Sequence, residues 1–293
     1  MPLIETKQEM EMPKGVYERK PRIKKDDFAT PRMSMVVTET DDQIDTRLRS
    51  RFRTVGIMAK SACDGITRSL IVSGPPGLGK SFTVEKIVSD YDKSGKKAVI
   101  CKGYVRPTGL YKTLYEYRHA GNVIVFDDCD SAFQDMDALN LLKAACDTTE
   151  KRRLMWGAET RMTDANGKPM PWSFDFEGSI IFITNYDFDA AIAANNKFSE
   201  HFNALISRSH YIDTGMKSIR DYLVRIQQVV DEGMLDDMGL TAYQQRDIID
   251  FVFDNAPKFR ELTLRMVIKL AGLYNISRTE WKTMASVTLF KKI

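Results

Sequence analysis

Short apolar runs alternate with amphipathic stretches along most of the chain. SLIVS (69–73), AVICK (98–102), NVIVF (122–126) and SIIFI (179–183), with a shorter HYID (210–213), predict strands of the kind buried on both faces. Between them Lys80 to Tyr91, Thr108 to Arg118 and Phe133 to Thr148 read as helices, the last with Met136, Leu139, Leu142, Lys143 and Cys146 in register. This alternation predicts an α/β fold with a five-stranded parallel sheet covered on both faces. Ahead of it, Asp42 to Ala62 is helical: Ile44, Leu48, Phe52 and Val55 share a face, while Arg47, Arg49, Arg51 and Arg53 fan around the others. After Gly215 the strands stop, and 217–290 read as four helices punctuated by Gly233, Gly239 and Pro257. The expected plan is an arm (1–41), an α/β domain (42–215) with an inserted hairpin at about 151–178, and a small all-helical domain (216–293).

Composition narrows the classes. With 293 residues, 43% hydrophobic and 28% charged, wholesale disorder is excluded. Lys and Arg number 43 against 40 Asp and Glu, so any nucleic-acid site must come from local charge. One such locality is the arm, where Lys14, Arg19, Lys20, Arg22, Lys24 and Lys25 crowd together among prolines. It reads as a flexible basic segment, either phosphate-contacting or merely solvated. Cys63, Cys101, Cys129 and Cys146 have no zinc-ligand spacing and read as free thiols of a reducing cytoplasm. No apolar run approaches the about 18 residues of a membrane span.

The strongest motif is Gly74-Pro75-Pro76-Gly77-Leu78-Gly79-Lys80-Ser81. It fills G-x-x-x-x-G-K-[ST] between an apolar strand and a helix, the context that motif requires. Glycines let backbone N–H groups curl around phosphate oxygens, and the helix N-terminus adds its positive dipole end. Lys80 is expected to reach the β- and γ-phosphates, and Ser81 to offer its hydroxyl to Mg2+. Lys-Ser after the last glycine excludes the dinucleotide fingerprint. A second element, VIVFDD (123–128), is an apolar strand with two acids at its carboxyl end, where parallel sheets carry their sites. Asp127 is expected to hold Mg2+, and Asp128 to orient or deprotonate an attacking water. Asp130 suits the capping of the next helix.

With these elements the chain resembles the AAA+ ATPase family over about residues 45–290, GPPGLGKS and VIVFDDCD standing as its Walker A and Walker B elements. IIFITNYD (180–187) resembles its sensor 1, which implies that Asn185, after Thr184, helps position the lytic water. ALISRSHYID (204–213) resembles its arginine-finger segment, which implies that Arg208 reaches a γ-phosphate held by a neighbouring subunit. The C-terminal helices look like the family's lid, and FRELTLRMVIKLAGL (259–273) resembles the sensor 2 helix, with Arg265 the better match and Arg260 second. Asp-Asp in place of the commoner Asp-Glu is the pattern of the initiator and helicase-loader branch.

Two loops bear on the substrate. In 151–178, Asn166-Gly167 signals a hairpin tip that sets Arg161 opposite Trp172, with Lys168 beside it. It resembles the hairpin that DNA motors, such as branch-migration helicases, insert before sensor 1; packing on a neighbouring subunit is the other reading. Lys102 to Gly109 resembles pore loop 1, where Tyr104-Val105 grips a translocating chain and Arg106 holds phosphate, unless Tyr104 is simply core. The resemblance implies ATP and Mg2+ as cofactors and self-assembly into a ring, a hexamer. It also implies work on DNA in replication, recombination or helicase loading, beside a helicase or another such protein. The basic arm, the four arginines at 47–53, Lys168 and the Asp-Asp pair favour DNA. Tyr104-Val105 and the lack of a separate DNA-binding domain favour a protein-remodelling chaperone instead. The arm and compact plan point to a phage or mobile-element origin.

Overall fold

The computed structural model describes residues 39–292 except 94, 96, 158–161, 165 and 217. The basic arm and Arg161 lie outside the described residues. The chain runs α1 (Asp41–Cys63), β1 (Ser69–Ser73), α2 (Lys80–Lys93), β2 (Ala98–Lys102), α3 (Pro107–Glu116), β3 (Val123–Asp127) and α4 (Met136–Ala145). It continues with β4 (Arg153–Met155), β5 (Ser173–Asp175), β6 (Ser179–Thr184), α5 (Phe188–Ala193), α6 (Ser199–Ser207) and β7 (His210–Asp213). Four α-helices close it: α7 (Ile219–Asp231), α8 (Ala242–Asn255), α9 (Leu264–Ile276) and α10 (Trp281–Leu289).

Five strands form one parallel sheet in the order β2-β3-β6-β1-β7. The expected α/β class is therefore the observed one. Strands β1, β3 and β6 are buried at every position, which is why their sequences are unbroken apolar runs. The edge strands β2 and β7 are partly exposed, which explains the weaker pattern of HYID. Register aligns the carboxyl ends: Ser73 sits opposite Thr184, Asp127 opposite Ile183, and Lys102 opposite Asp127. Helices α1 and α2 cover one face through Val55, Ala59, Val84 and Val88. Helices α3 to α6 cover the other through Leu110, Leu142 and Phe202. The C-terminal helices bury a cluster of their own around Phe259, Leu270 and Trp281.

Three expectations need correction. The helix read from Phe133 begins only at Met136, because Asp135 leaves the helical region (φ −119) and its carboxylate caps Asp137 and Ala138. The α1 arginines are mostly committed internally. Arg47 pairs with Glu39 at 2.7 Å and with buried Asp221 at 3.1 Å, Arg49 bridges Asp45 and Glu232, and Arg51 donates to the Asp213 carbonyl. The bonds to Asp221 and Glu232 dock α7 on α1, while Arg53 is exposed. The hairpin also differs in register. Leu154 faces Phe174 and Thr163 faces Pro169, so between these pairs the first side is longer in sequence than the second. The Trp172 carbonyl accepts from the Trp156 N–H, and the expected partner Arg161 lies outside the described residues. Gly167 sits at φ +75 after a turn in which its N–H bonds the Asp164 carbonyl, a three-residue loop instead of a two-residue one.

Arg152 anchors the hairpin base. It is 5% exposed, donates to the carbonyls of Ala145 and Gly178 at 2.9 Å, and lies over the Phe176 ring. Arg152→Met strands both buried carbonyls and is expected to cost about 2–4 kcal/mol in equilibrium denaturation. An unchanged midpoint would contradict this anchoring.

Candidate functional site

The loop between β1 and α2 closes over the end of the sheet. Gly74 has φ +142, and a Cβ there would fall 1.8 Å from the Thr214 hydroxyl oxygen. Gly77 has φ +73, and a Cβ there would fall 2.7 Å from the Thr263 Cβ. Glycine is therefore required twice, by backbone sign and by close approach. Fully buried Leu78 anchors the loop's far side, and Gly79 leads into α2. Pro75 and Pro76 wall a cleft of about 370 Å³ together with Ile219, Tyr222, Arg260 and Thr263.

Lys80 is only 5% exposed. Its ammonium donates to the carbonyls of Gly74 (2.7 Å) and Pro75 (2.6 Å) and to the Asn185 side-chain oxygen (2.9 Å). Burial pulls its pKa down to about 8, against the opposing pull of Asp128 and Asp127. The Ser81 hydroxyl donates to Asp127 Oδ1 at 2.9 Å. Asp127 is 4% exposed, and Lys102 Nζ stands 3.3 Å from its Oδ2. Lys102 was not singled out for this role by motif, yet its place opposite Asp127 in the β2–β3 register dictates the contact.

Asp128 has φ +52, a left-handed conformation shared among described non-glycine residues only with Asn195. It is stabilised by a backbone bond from its N–H to the Ile183 carbonyl and by Asn185 Nδ2 donating to its carboxylate at 2.9 Å. Such strain concentrates at functional sites. Its pKa is raised by burial and by the charges of Asp127 and Asp130. Asn185 thus bridges Lys80 and Asp128. Asp130 is no helix cap: its carboxylate takes the Thr184 hydroxyl instead, and Asp135 does the capping.

The remaining candidates separate. Arg265, in the first turn of α9, is exposed, and its charge bears on both Lys80 and Asp128. Arg260 turns to the chain's end and donates to the Phe290 carbonyl. Arg208 caps α6 just before β7 begins, at the amino-terminal end of the sheet, whereas the loop lies at the carboxyl end of neighbouring β1. Its Nη1 donates to the Ala204 carbonyl, and its buried Nε has no hydrogen-bond partner. Arg208 therefore does not join the others within one chain. Tyr104 is 74% exposed, with Arg106 beside its ring, so it is not core. Val105 is held by the Ser131 hydroxyl at both its N–H and its carbonyl. Arg225, which no motif announced, is buried under the loop and donates to the Leu78 carbonyl. Its signal was the spacing Asp221, Arg225, Gln228, three polar residues on one helical face, all of them buried.

The phosphate loop, the acid-tipped strand near it and the five-stranded parallel sheet with C-terminal helices define an α/β fold of the P-loop kind. The chain is 32% identical over 254 residues to the uncharacterized 36.7 kDa protein in the nrdC-mobD intergenic region of Enterobacteria phage T4, covering 85% of this chain and 77% of that one. The chain belongs to the family of that phage protein. Among solved structures it is similar to the Thermotoga maritima RuvB Holliday junction branch migration motor (TM-score 0.44, 13% identity, 84% of this chain and 68% of that one). It is also similar to domain III of the T. maritima replication initiation protein DnaA (TM-score 0.49, 14% identity, 83% of this chain and 92% of that one). No protein-family model matches the chain.

Lys80 gives a pH test. A lysine whose folded pKa lies near 8 binds fewer protons folded than unfolded between about pH 8 and 10.5, so stability rises with pH across that window. The gain is of the order of 3 kcal/mol. Denaturation of the wild type and of Lys80→Met through this range is expected to show the rise only in the wild type; parallel profiles would contradict the burial of a charged ammonium.

Proposed function

We propose that the chain is a Mg2+-dependent ATPase of the AAA+ class that acts on DNA as an oligomer. The observation that carries this reading is the convergence of Lys80, Ser81, Asp127, Asp128 and Asn185 at one end of the sheet. The donor set fits the cofactors. Ser81 and Asp127 present neighbouring hard oxygens suited to Mg2+, and the glycine loop with Lys80 suits a polyphosphate. A bound Mg2+ supplies charge neutralisation on the phosphates. Asp128, held by Asn185, is the residue we assign to orient and accept a proton from water. Lys80 and Arg265 bring positive charge to the same place, and α7 to α10 serve as the lid.

Assembly is proposed from Arg208. It lies at the amino-terminal end of the sheet, away from the loop at the carboxyl end, with an unpartnered buried Nε, which suits a group completed by a neighbouring subunit's site. The number of subunits we take as six on the resemblance alone. For DNA, exposed Tyr104, Arg106, Arg153, Lys168 and Trp172 offer cations and rings of the kind that hold a phosphate backbone and stack on bases. The α1 arginines no longer support this reading, since three of them are bound within the chain. Exposed Tyr104 equally favours the second reading, a remodelling ATPase that grips a polypeptide. A helicase or another replication or recombination protein remains the proposed partner, and the free thiols favour a cytoplasmic setting. Among the described residues no helix is long and apolar enough to cross a membrane.

A gel shift at low and physiological salt with ATP present separates the readings. Salt-sensitive DNA binding supports the first, and no binding at low salt removes it. Lys80→Ala is expected to abolish ATP binding, and Asp128→Asn to retain ATP while lowering turnover by about a hundredfold or more. Undiminished turnover would take Asp128 out of its role. Arg208→Ala is expected to bind ATP without hydrolysing it. Mixed assemblies with Lys80→Ala should then recover activity, and no recovery in confirmed mixed assemblies would contradict a finger acting across subunits.

A further inference from the structure

The phosphate loop is held from behind through its carbonyl oxygens. In a trans peptide the C=O of one residue and the N–H of the next point in opposite directions. The Gly77 carbonyl accepts from the Leu264 N–H at 2.8 Å, and the Leu78 carbonyl accepts from Arg225 Nε at 3.3 Å. Both donors belong to the C-terminal helices, one at the start of α9 and one in the middle of α7. Tying these two carbonyls down turns the N–H groups of Leu78 and Gly79 away from the helices, toward the loop's opposite, anion-facing side.

Arg225 is built into this position. It is 5% exposed, and its guanidinium carbon lies 3.6 Å from the centroid of the Phe52 ring. Its Nη1 donates to Gln228 Oε1 at 3.1 Å, and Gln228 in turn donates to the Asp45 carbonyl and carboxylate at 2.9 Å. A Cβ placed on Gly79 would stand 3.4 Å from Arg225 Nη2, so the guanidinium lies directly against the loop. Its hydrogen bonds run to a carbonyl and an amide, and no carboxylate forms a salt bridge with it among the described residues. A buried cation without a salt-bridged carboxylate is costly in the empty protein, and only the charge of Glu232 opposes it from beyond salt-bridge range. The charge that would balance it belongs on the other side of the loop.

We infer that Arg225 is a positioning residue for polyphosphate binding: it orients the loop amides through the Leu78 carbonyl and supplies a buried positive charge that the phosphate chain neutralises. The inference rests on the nucleotide-binding reading above and adds a role for α7. It also ties affinity to docking, because withdrawal of α7 from α1 removes Arg225 from the loop.

The test uses the full chain and two probes, ATP and tripolyphosphate, the second lacking any base or sugar. Calorimetric affinities are measured for the wild type, Arg225→Met, Arg225→Lys and Phe52→Leu, each checked by circular dichroism and thermal melting without ligand. Arg225→Met is expected to weaken both probes by the same factor, about tenfold or more. Arg225→Lys keeps charge but loses the planar fork and is expected to fall between, about threefold weaker. Phe52→Leu frees the guanidinium from its stack and is expected to weaken both probes as well. Should Arg225→Met fail to fold, Arg225→Lys and Phe52→Leu carry the test alone. A lowered melting temperature with unchanged affinities in the folded variants would mean a merely structural role and overturn the inference. Loss confined to ATP, with tripolyphosphate unaffected, would overturn it too, since the effect would lie on the base. A wild type that binds neither probe would instead defeat the nucleotide-binding reading itself.

Discussion

A buried ammonium governs this architecture. Lys80 sits at the end of the sheet with almost no exposure, and its charge must be met by nearby groups or be lost. Two loop carbonyls and the Asn185 amide oxygen take its hydrogen bonds, while Asp127 and Asp128 supply opposing charge. Those partners come from three different strands. Only the order β3-β6-β1, with carboxyl ends level, brings them within reach of one nitrogen. The strained backbone at Asp128 follows from the same demand, because the chain must turn sharply to keep the second acid at the mouth.

The C-terminal helices belong to this arrangement through α1. Arg47 reaches Asp221, Arg49 reaches Glu232, and Gln228 reaches Asp45, so α7 is fastened to the helix that packs behind β1. From there Arg225, and from α9 the Leu264 amide, reach the carbonyls of the phosphate loop. Arg265 brings its charge to the same mouth. A ligand that changes the loop therefore acts on two helices at once, and a displacement of those helices acts on the loop. In a nucleotide hydrolase such a link lets the state of the phosphates be read outside the α/β layer.

Much of this was legible because its signals are local. The loop is eight consecutive residues with a strand before it and a helix after it, and the acids of VIVFDD end an apolar run. Five strands were visible as five short runs. What was not legible depends on long-range pairing. Arg47, Arg49 and Arg51 look alike in sequence, yet their partners lie at Asp221, Glu232 and Asp213, which nothing nearby announces. Arg225 was hidden for the same reason, although its spacing with Asp221 and Gln228 marks a polar face on a helix that has to be buried. At the hairpin, Asn166-Gly167 marked the tip correctly but not the register, because the first side, longer in sequence, leaves no alternation to count. The start of α4 was misread because apolar spacing continues through Asp135 while its backbone does not.

Steady-state ATP turnover by the full chain, with and without Mg2+ and in the presence of single-stranded, duplex or branched DNA at low salt, tests the central claim most directly. Turnover that requires Mg2+ and is raised by at least one form of DNA is the expected result. Absence of turnover under every condition would contradict it.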